Sequence, residues 1–263
     1  MFVVAVTELA GTTEAEAPLL AADLGASAYD ARLLLAPGAP IVVRTTADRG
    51  AALELLAKLR ARGHAAVACD ATAVVASTEM VAMRRPRPGE TALTLEDRPG
   101  EALPYDDVLV MIPAVHRGRA ETTTQTREKK LSVGRALVTG GVSMTKTVKT
   151  DTHAATEDRE SVLYVFRRSG ATPWILREQG TNWAAAGIPL APSASENFRL
   201  TVARLRSLAP GAAFDERLAT RKAAERMAMS GNTASTTVRS SSEAGVDLLA
   251  HLLALAAAKS AYR

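Results

Sequence analysis

Residues 192–210, PSASENFRLTVARLRSLAP, have one self-consistent reading, and it limits what the rest of the chain can be. Ser193-Ala-Ser-Glu196 fits a capping box, in which the Ser hydroxyl accepts from a backbone N–H one turn in and the Glu reaches back to the cap. Phe198, Val202, Leu205 and Ala209 recur at helical spacing and share one face, while Arg199, Arg204 and Arg206 fall off it. Pro210-Gly211 ends the helix, because Pro cannot continue it and Gly takes the left-handed turn cheaply. Burying Phe198, Val202 and Leu205 would contribute on the order of 2 kcal/mol each. A helix with so clear an apolar face needs a surface to cover, and about a hundred residues of strand-like sequence precede it.

That sequence, 73–190, consists of short β-rich runs between turn signals. Ala73–Met83, Thr91–Glu96, the apolar stretch within Leu103–Ala114, Val162–Phe166 and Trp174–Gln179 read as strands. Arg84–Gly89, RRPRPG, reads as a turn, because two prolines remove two donors. Lys130–Thr139 and Val142–Thr150 flank Gly140-Gly141, a good two-residue hairpin turn. About seven strands followed by one helix, with Trp174 and Trp183 near it, are similar to a pleckstrin-homology-like barrel, and a plain α+β sandwich is the alternative. The expected fold class is α+β: a small βααβαβ domain, then an antiparallel barrel or sandwich capped by a helix, with extra tail helices.

The first domain spans 1–72. Phe2–Glu8 is an apolar, β-branched strand. Thr12 or Thr13 caps a helix running to Leu24, with Glu14 and Glu16 in the turn where the helix dipole favours acids; Pro18 sits awkwardly within it. Gly25 breaks that helix, and Ser27-Ala-Tyr-Asp30 opens the next over Ala28–Leu35. A strand at Ile41–Arg44, a helix opened by Thr46 or Asp48 and stopped by Gly63, and a strand at Ala65–Cys69 follow. Strands joined through helices place the helices on one side of a small sheet.

In order of elements, and locally over Gly25–Asp70, this domain resembles the C-terminal domain of the bacterial ribosomal stalk protein. Asp30, Ala31 and Arg32 stand where that family has Glu, Ala and Lys, and Arg62-Gly63-His64-Ala65 resembles its helix end and turn. The resemblance implies the βααβαβ fold. It also implies a surface for protein partners, because the family binds translation factors through exposed lysines on this helix pair. Only Arg32 keeps a positive charge there, and Tyr29 replaces a lysine.

Residues 73–210 make the second domain, and 211–263 a helical tail. In the tail, Asp215–Met229 reads as a charged helix and Ser230–Ser242 as a polar Ser/Thr linker. Glu243–Ala258 is a second amphipathic helix. Val246, Leu249 and Leu253 lie on one side, and Leu248, Leu252 and Leu255 widen the stripe. Such a face docks on its own protein, or on a second copy or partner, with Val246, Leu249, Leu252 and Leu253 as the contact residues.

Charge singles out one further stretch. The chain as a whole is only mildly basic, at +4. Between 117 and 149, however, eight cations (Arg117, Arg119, Arg127, Lys129, Lys130, Arg135, Lys146 and Lys149) face two acids, Glu121 and Glu128. A basic hairpin of this kind can meet lipid headgroups or a nucleic-acid backbone. It lacks Phe, Tyr and Trp, so base stacking has no platform. A solvated hairpin whose edge lysines discourage aggregation is the other reading.

Catalytic motifs are sparse. G-x-S-x-G, Walker A, G-x-G-x-x-G and H-E-x-x-H do not occur. Ser143-Met-Thr-Lys146 matches S-x-x-K without its companion motifs, and Asp106-Asp107 could ligate a cation or cap a turn. His64, His116, His153 and His251 have no ligand spacing, and Cys69 is the single cysteine, so neither a zinc site nor an intrachain disulfide is expected. The first residues show no secretion signal, and no apolar run is long enough to span a bilayer. The expectation is a cytoplasmic, non-catalytic binding or adaptor protein without cofactor, metal or small-molecule substrate. Its partners are a protein or a second copy, with anionic lipid or nucleic acid as the alternative.

Overall fold

The computed structural model describes residues 1–131, 145–220 and 243–261, with side chains outside 118–158 and 260–261. Of these residues, 1–116, 160–220 and 243–261 belong to one compact unit, and 117–131 and 145–159 to a second. The fold is α+β.

The first strand, β1 (Phe2–Glu8), is the centre of a three-stranded sheet. It pairs antiparallel with β2 (Ile41–Thr46) on one side and β3 (Ala65–Asp70) on the other. Three helices cover one face: α1 (Thr13–Leu24), α2 (Ala28–Leu35) and α3 (Arg49–Ala61). Each begins where the sequence places a cap. Thr12, Ser27 and Asp48 accept backbone N–H groups with their side chains, and Gly25 ends α1 at φ 66°. Pro18 lies inside α1, and both it and Glu14, whose carbonyl loses its partner, are exposed, where water can bond that carbonyl.

Along β1 the alternation is strict. Val4 and Val6 join the core under the three helices, while Val3 and Ala5 face the other way. A strand buried on both faces reads as a continuous apolar run, which is what FVVAV is. The second face of this sheet is covered by the last helix, α6 (Glu243–Ala261), through Leu252 with Leu248, Leu249 and Ala256.

After β3 the chain makes a 3-10 turn at Ala71–Ala73 and reaches β4 (Val81–Ala82). The strand expected over Ala73–Met83 is therefore mostly absent. The N–H groups of Val75 and Ser77 go to side chains of α6 instead of a neighbouring strand, so their hydrogen bonds are satisfied without a ladder. Next come β5 (Pro86–Pro88), β6 (Ala92–Leu95) and β7 (Ala102–Pro104), a three-stranded antiparallel sheet in that order. Within the turn or loop expected at Arg84–Gly89, Pro86–Pro88 is thus a strand, and Arg84-Arg85 is the bend that leads into it. The prolines are tolerated because β5 is an edge, where a missing N–H deprives no neighbour.

β8 (Val108–Leu131) and β9 (Thr145–Arg167) are long neighbours at the middle of a five-stranded sheet, followed by β10 (Trp174–Arg177). The sheet order is β11-β8-β9-β10-β4, with β11 at Ala213–Phe214. β10 runs antiparallel to β9, but β4 and β11 pair parallel with their neighbours, so the sheet is mixed where an antiparallel one was expected. Among the described residues no barrel closes; the strands divide between two sheets that share one core, the sandwich alternative. That core joins Leu93, Leu95 and Leu103 to Leu163, Val165, Trp174 and Leu176.

Helix α4 (Ala194–Leu208) completes it. Phe198 and Leu205 are buried at 8% and 4% exposure, and Trp183 stands edge-on to Phe198 with ring centres 6.4 Å apart. Asn197 locks the approach to the helix, its amide exchanging two hydrogen bonds with the backbone of Ala191.

The opposite face of the five-stranded sheet carries Val162, Tyr164, Phe166 and Ile175, and α6 packs there through Ala250, Leu253 and Ala254. Expected as a tail helix, α6 is instead the layer between the small sheet and the large one. Of the expected helix Asp215–Met229, residues 215–220 are described; Asp215 and Glu216 are not helical, and α5 (Arg217–Thr220) is. Among them no helix is long and apolar enough to cross a membrane.

Candidate functional site

Three features could carry function: the outer faces of α1–α3, a buried polar chain on α6, and a groove beside β11.

On the helical layer, the residues one turn apart that face the sheet are buried: Ala17, Leu20 and Ala21 on α1, Ala31 and Leu35 on α2, Ala52, Leu55, Leu56 and Leu59 on α3. The opposite faces are not uniformly polar. Tyr29 and Leu33, four residues apart on α2, are 65% and 55% exposed, and Leu19 on α1 and Leu53 on α3 are 51% and 50% exposed. Single exposed apolar residues are ordinary, but four large ones on one helical layer are a candidate contact surface. The layer is braced from within. Glu16, buried, accepts two hydrogen bonds from Arg62 Nε and Nη2 at 3.0 and 2.7 Å, and Arg62 Nη1 reaches Asp23 at 2.7 Å. His64 Nδ1 accepts the Ala10 N–H at 3.1 Å; its Nε2 lies 2.8 Å from Glu16, out of line for a hydrogen bond.

The polar chain lies where α6 meets the large sheet. Tyr164, fully buried on β9, donates its hydroxyl proton to Asp247 Oδ1 at 2.6 Å. The tyrosine has one proton to give, so at 2.6 Å its oxygen accepts from His116 Nε2, which assigns that tautomer. Asp247 Oδ2 accepts the Ser77 N–H at 2.9 Å. A buried carboxylate survives only with such partners. His116 Nδ1 is left with a lone pair, no hydrogen-bond partner, and Glu243 Oε1 at 3.9 Å. Burial, with the nearby Arg177 charge, pushes the His116 pKa down to about 4 against the opposing pull of Asp247. Burial and Asp247 hold the Tyr164 hydroxyl protonated far above its usual range. One turn along α6, His251 accepts the Val75 N–H at Nε2 (3.2 Å), turns Nδ1 to the Asp247 carbonyl (3.2 Å), and stands edge-on to Phe166; burial lowers its pKa too.

The groove, about 620 Å³, is lined by Leu109, Val110, Phe214, Arg168, Asp215 and Arg217 among others. Its size suits a small ligand. Its polar groups are largely engaged: Arg168 donates to the Gly211 carbonyl at 2.7 Å, and Arg217 donates to Asp215 and to the Thr7 carbonyl.

The expected site residues fall as follows. Leu252 and Leu253 are buried, and Val246 and Leu249 are half-buried against the same cores. The apolar face of α6 is therefore docked on its own chain, the first of its two expected readings, in place of the contact with a second copy or partner that was the other. Of the basic residues, Arg119, Arg127, Lys129, Lys130, Lys146 and Lys149 lie on β8 and β9 with side chains outside the described set; Arg135 lies outside the described residues altogether. Arg117 is the one whose burial is described, and it is half-buried. Ser143, His153 and the Gly140-Gly141 turn also fall outside that set. Asp106-Asp107 resolve as a turn: Asp107 accepts the Ser169 N–H at 2.9 Å and the Arg167 guanidinium at 2.6 Å. Those bonds outweigh burial and hold its carboxyl below the usual range. Among the described residues no cluster of three or more metal-ligating side chains forms.

Sequence reasoning passed over Asp247 and its partners. The available signal was a lone acid four residues before a histidine in the otherwise apolar run GVDLLAHLLALAAA. Compared with protein-family models, curated proteins and solved structures, the chain matches none.

Proposed function

We propose that the chain is a non-catalytic adaptor of the cytoplasm that acts through protein–protein contacts, and that the outer faces of α1, α2 and α3 are its contact surface. The observation that carries this is the exposure of Leu19, Tyr29, Leu33 and Leu53 on one helical layer. The arrangement of residues 1–70, with β1 central and three helices on one face, supports the stalk-domain-like reading of this module. In that family the helix pair meets its partners through lysines. Here Tyr29 and Leu33 stand on α2, so the contact is apolar and its partner presents an apolar face.

The test is capture of partners from the native host by the full chain, its Tyr29→Lys/Leu33→Lys variant, and a control, Leu190→Lys, which alters an equally exposed leucine outside the helical layer. Partners lost with the α2 pair and kept with the control support the reading. Identical capture by all three overturns it.

A second reading has one observation in its favour. β8 and β9 are neighbouring strands that bring the basic stretches around Lys129-Lys130 and Lys146–Lys149 onto one two-stranded element. Such an element suits an anionic surface. Salt-dependent retention on heparin or anionic vesicles that vanishes on charge reversal of Lys129, Lys130, Lys146 and Lys149 would favour it over the helical surface.

A further inference from the structure

The polar chain on α6 is costlier than a packed helix needs. An apolar helix between two apolar sheets would seat itself without Asp247, yet this one carries a buried carboxylate, which faces the buried His116 across Tyr164, and a half-buried histidine, His251, one turn later. We propose that His116 and His251, set around Asp247, form an acid-operated latch: held neutral they keep α6 seated on the five-stranded sheet, and proton uptake releases it.

The two histidines act by different geometry. In the seated state His251 uses both ring nitrogens as a neutral imidazole does, Nδ1–H donating to the Asp247 carbonyl and Nε2 accepting from Val75. A proton added to Nε2 points at the Val75 N–H and breaks that bond. His116 donates through Nε2 and has a free lone pair on Nδ1, so a proton can be added without breaking a bond. The cost there is a cation in a site that is 2% exposed. The charged and titratable groups facing it come from three elements: Tyr164 on β9, Arg177 on β10, and Asp247 and Glu243 on α6. Arg177 opposes the new charge but is itself bonded to Glu160 at 2.9 Å and to the Ser77 hydroxyl at 3.3 Å. Asp247 favours it, and burial outweighs that pull.

The sign follows. Both pKa values are lower with α6 seated than in water, so the released form binds protons more readily. The stabilisation is fully present above the ordinary histidine value of 6.5 and is lost as pH falls toward about 4. For His116 alone that shift moves the released-to-seated ratio on the order of 100-fold across the window.

The experiment is hydrogen exchange of full-length protein, followed in peptides from α6 and from α3 and corrected for the intrinsic pH dependence of exchange. In the wild type, protection of α6 falls between pH about 6.5 and about 4 while that of α3 holds. In His116→Gln/His251→Gln, where each amide can still donate and accept but cannot titrate, protection of α6 stays level. A level wild type, or a double variant that loses protection in parallel with it, overturns the latch and leaves carboxylate protonation as the cause of any acid opening. Should the double variant not fold, imidazole titration by NMR in the wild type decides. Values below 6.5 at both rings sustain the proposal, and an ordinary value at either ring ends it.

Discussion

Arg62 joins the end of α3 to two acids of α1 that sequence keeps 46 and 39 positions away. Read along the chain it is simply the end of α3 before Gly63, and Glu16 is an acid placed for the dipole of α1. In three dimensions its guanidinium closes on Glu16 and Asp23 together. Glu16 is 4% exposed, so its carboxylate depends on that partner. Truncation of Arg62 leaves a buried carboxylate without its cation, which costs about 3–5 kcal/mol when a buried pair is broken from one side. Arg62→Ala is therefore expected to shift the urea midpoint severely, far beyond Arg199→Ala, whose pair with Glu196 is on the surface and screened by solvent. Equal shifts for the two would mean that Glu16 finds water when Arg62 is gone. No local pattern could have paired these residues, because attraction across 46 positions leaves no periodicity in the sequence.

At the scale of the element, caps were legible and edges were not. Ser193, Ser27, Thr12 and Asp48 announce helices because a short oxygen-bearing side chain before a run of helix formers satisfies an orphan N–H, a wholly local transaction. Even there half of the expected box is missing: Glu196 bonds Arg199 at 2.5 Å, and the cap of α4 is the Ser193 hydroxyl accepting from the Glu196 N–H at 3.2 Å. Ser193→Ala should then cost about 1 kcal/mol, and Ser193→Gly only a few tenths. Leu205→Ala, inside the shared core of the two sheets, should cost about 2–5 kcal/mol. Urea melts of the three variants check the order, and a Ser193 variant as damaging as Leu205→Ala would show that the cap does more than close one turn. The prolines of β5 and the loop before β4 misled for one reason. Whether an N–H is needed depends on what lies beside it, and the neighbours of Pro86 and Ser77 are β6 and α6, one nearby in sequence and one at the far end. The same holds for the candidate surface. Tyr29 and Leu33 could be placed on a helix from the sequence, but that nothing covers them is a property of the finished layer.

For the molecule as a whole, the layering places α6 at the centre of the described unit. The breadth of its apolar stripe, Leu248, Leu249, Leu252 and Leu253 in sequence, was readable as one wide face; it is two faces, each with its own sheet. A helix apolar most of the way round is a buried helix. Leu252 packs with Val3, Ala5 and Val67 of the small sheet, and its neighbour Leu253 packs with Tyr164, Phe166 and Ile175 of the large one. If α6 is shared, its two sides cannot fail separately. Leu252→Ala, though it touches only the small sheet, should lower the exchange protection of amides in β1 and in β9 alike, by about 2–5 kcal/mol. Leu205→Ala is the contrast, since its core holds both large-sheet layers but no residue of β1. Protection lost in β1 alone after Leu252→Ala would make α6 a lid on the small sheet that the large sheet can do without. Loss in both places would mean that one helix, late in the chain, completes two cores, one built on its first strand and one on strands from its middle.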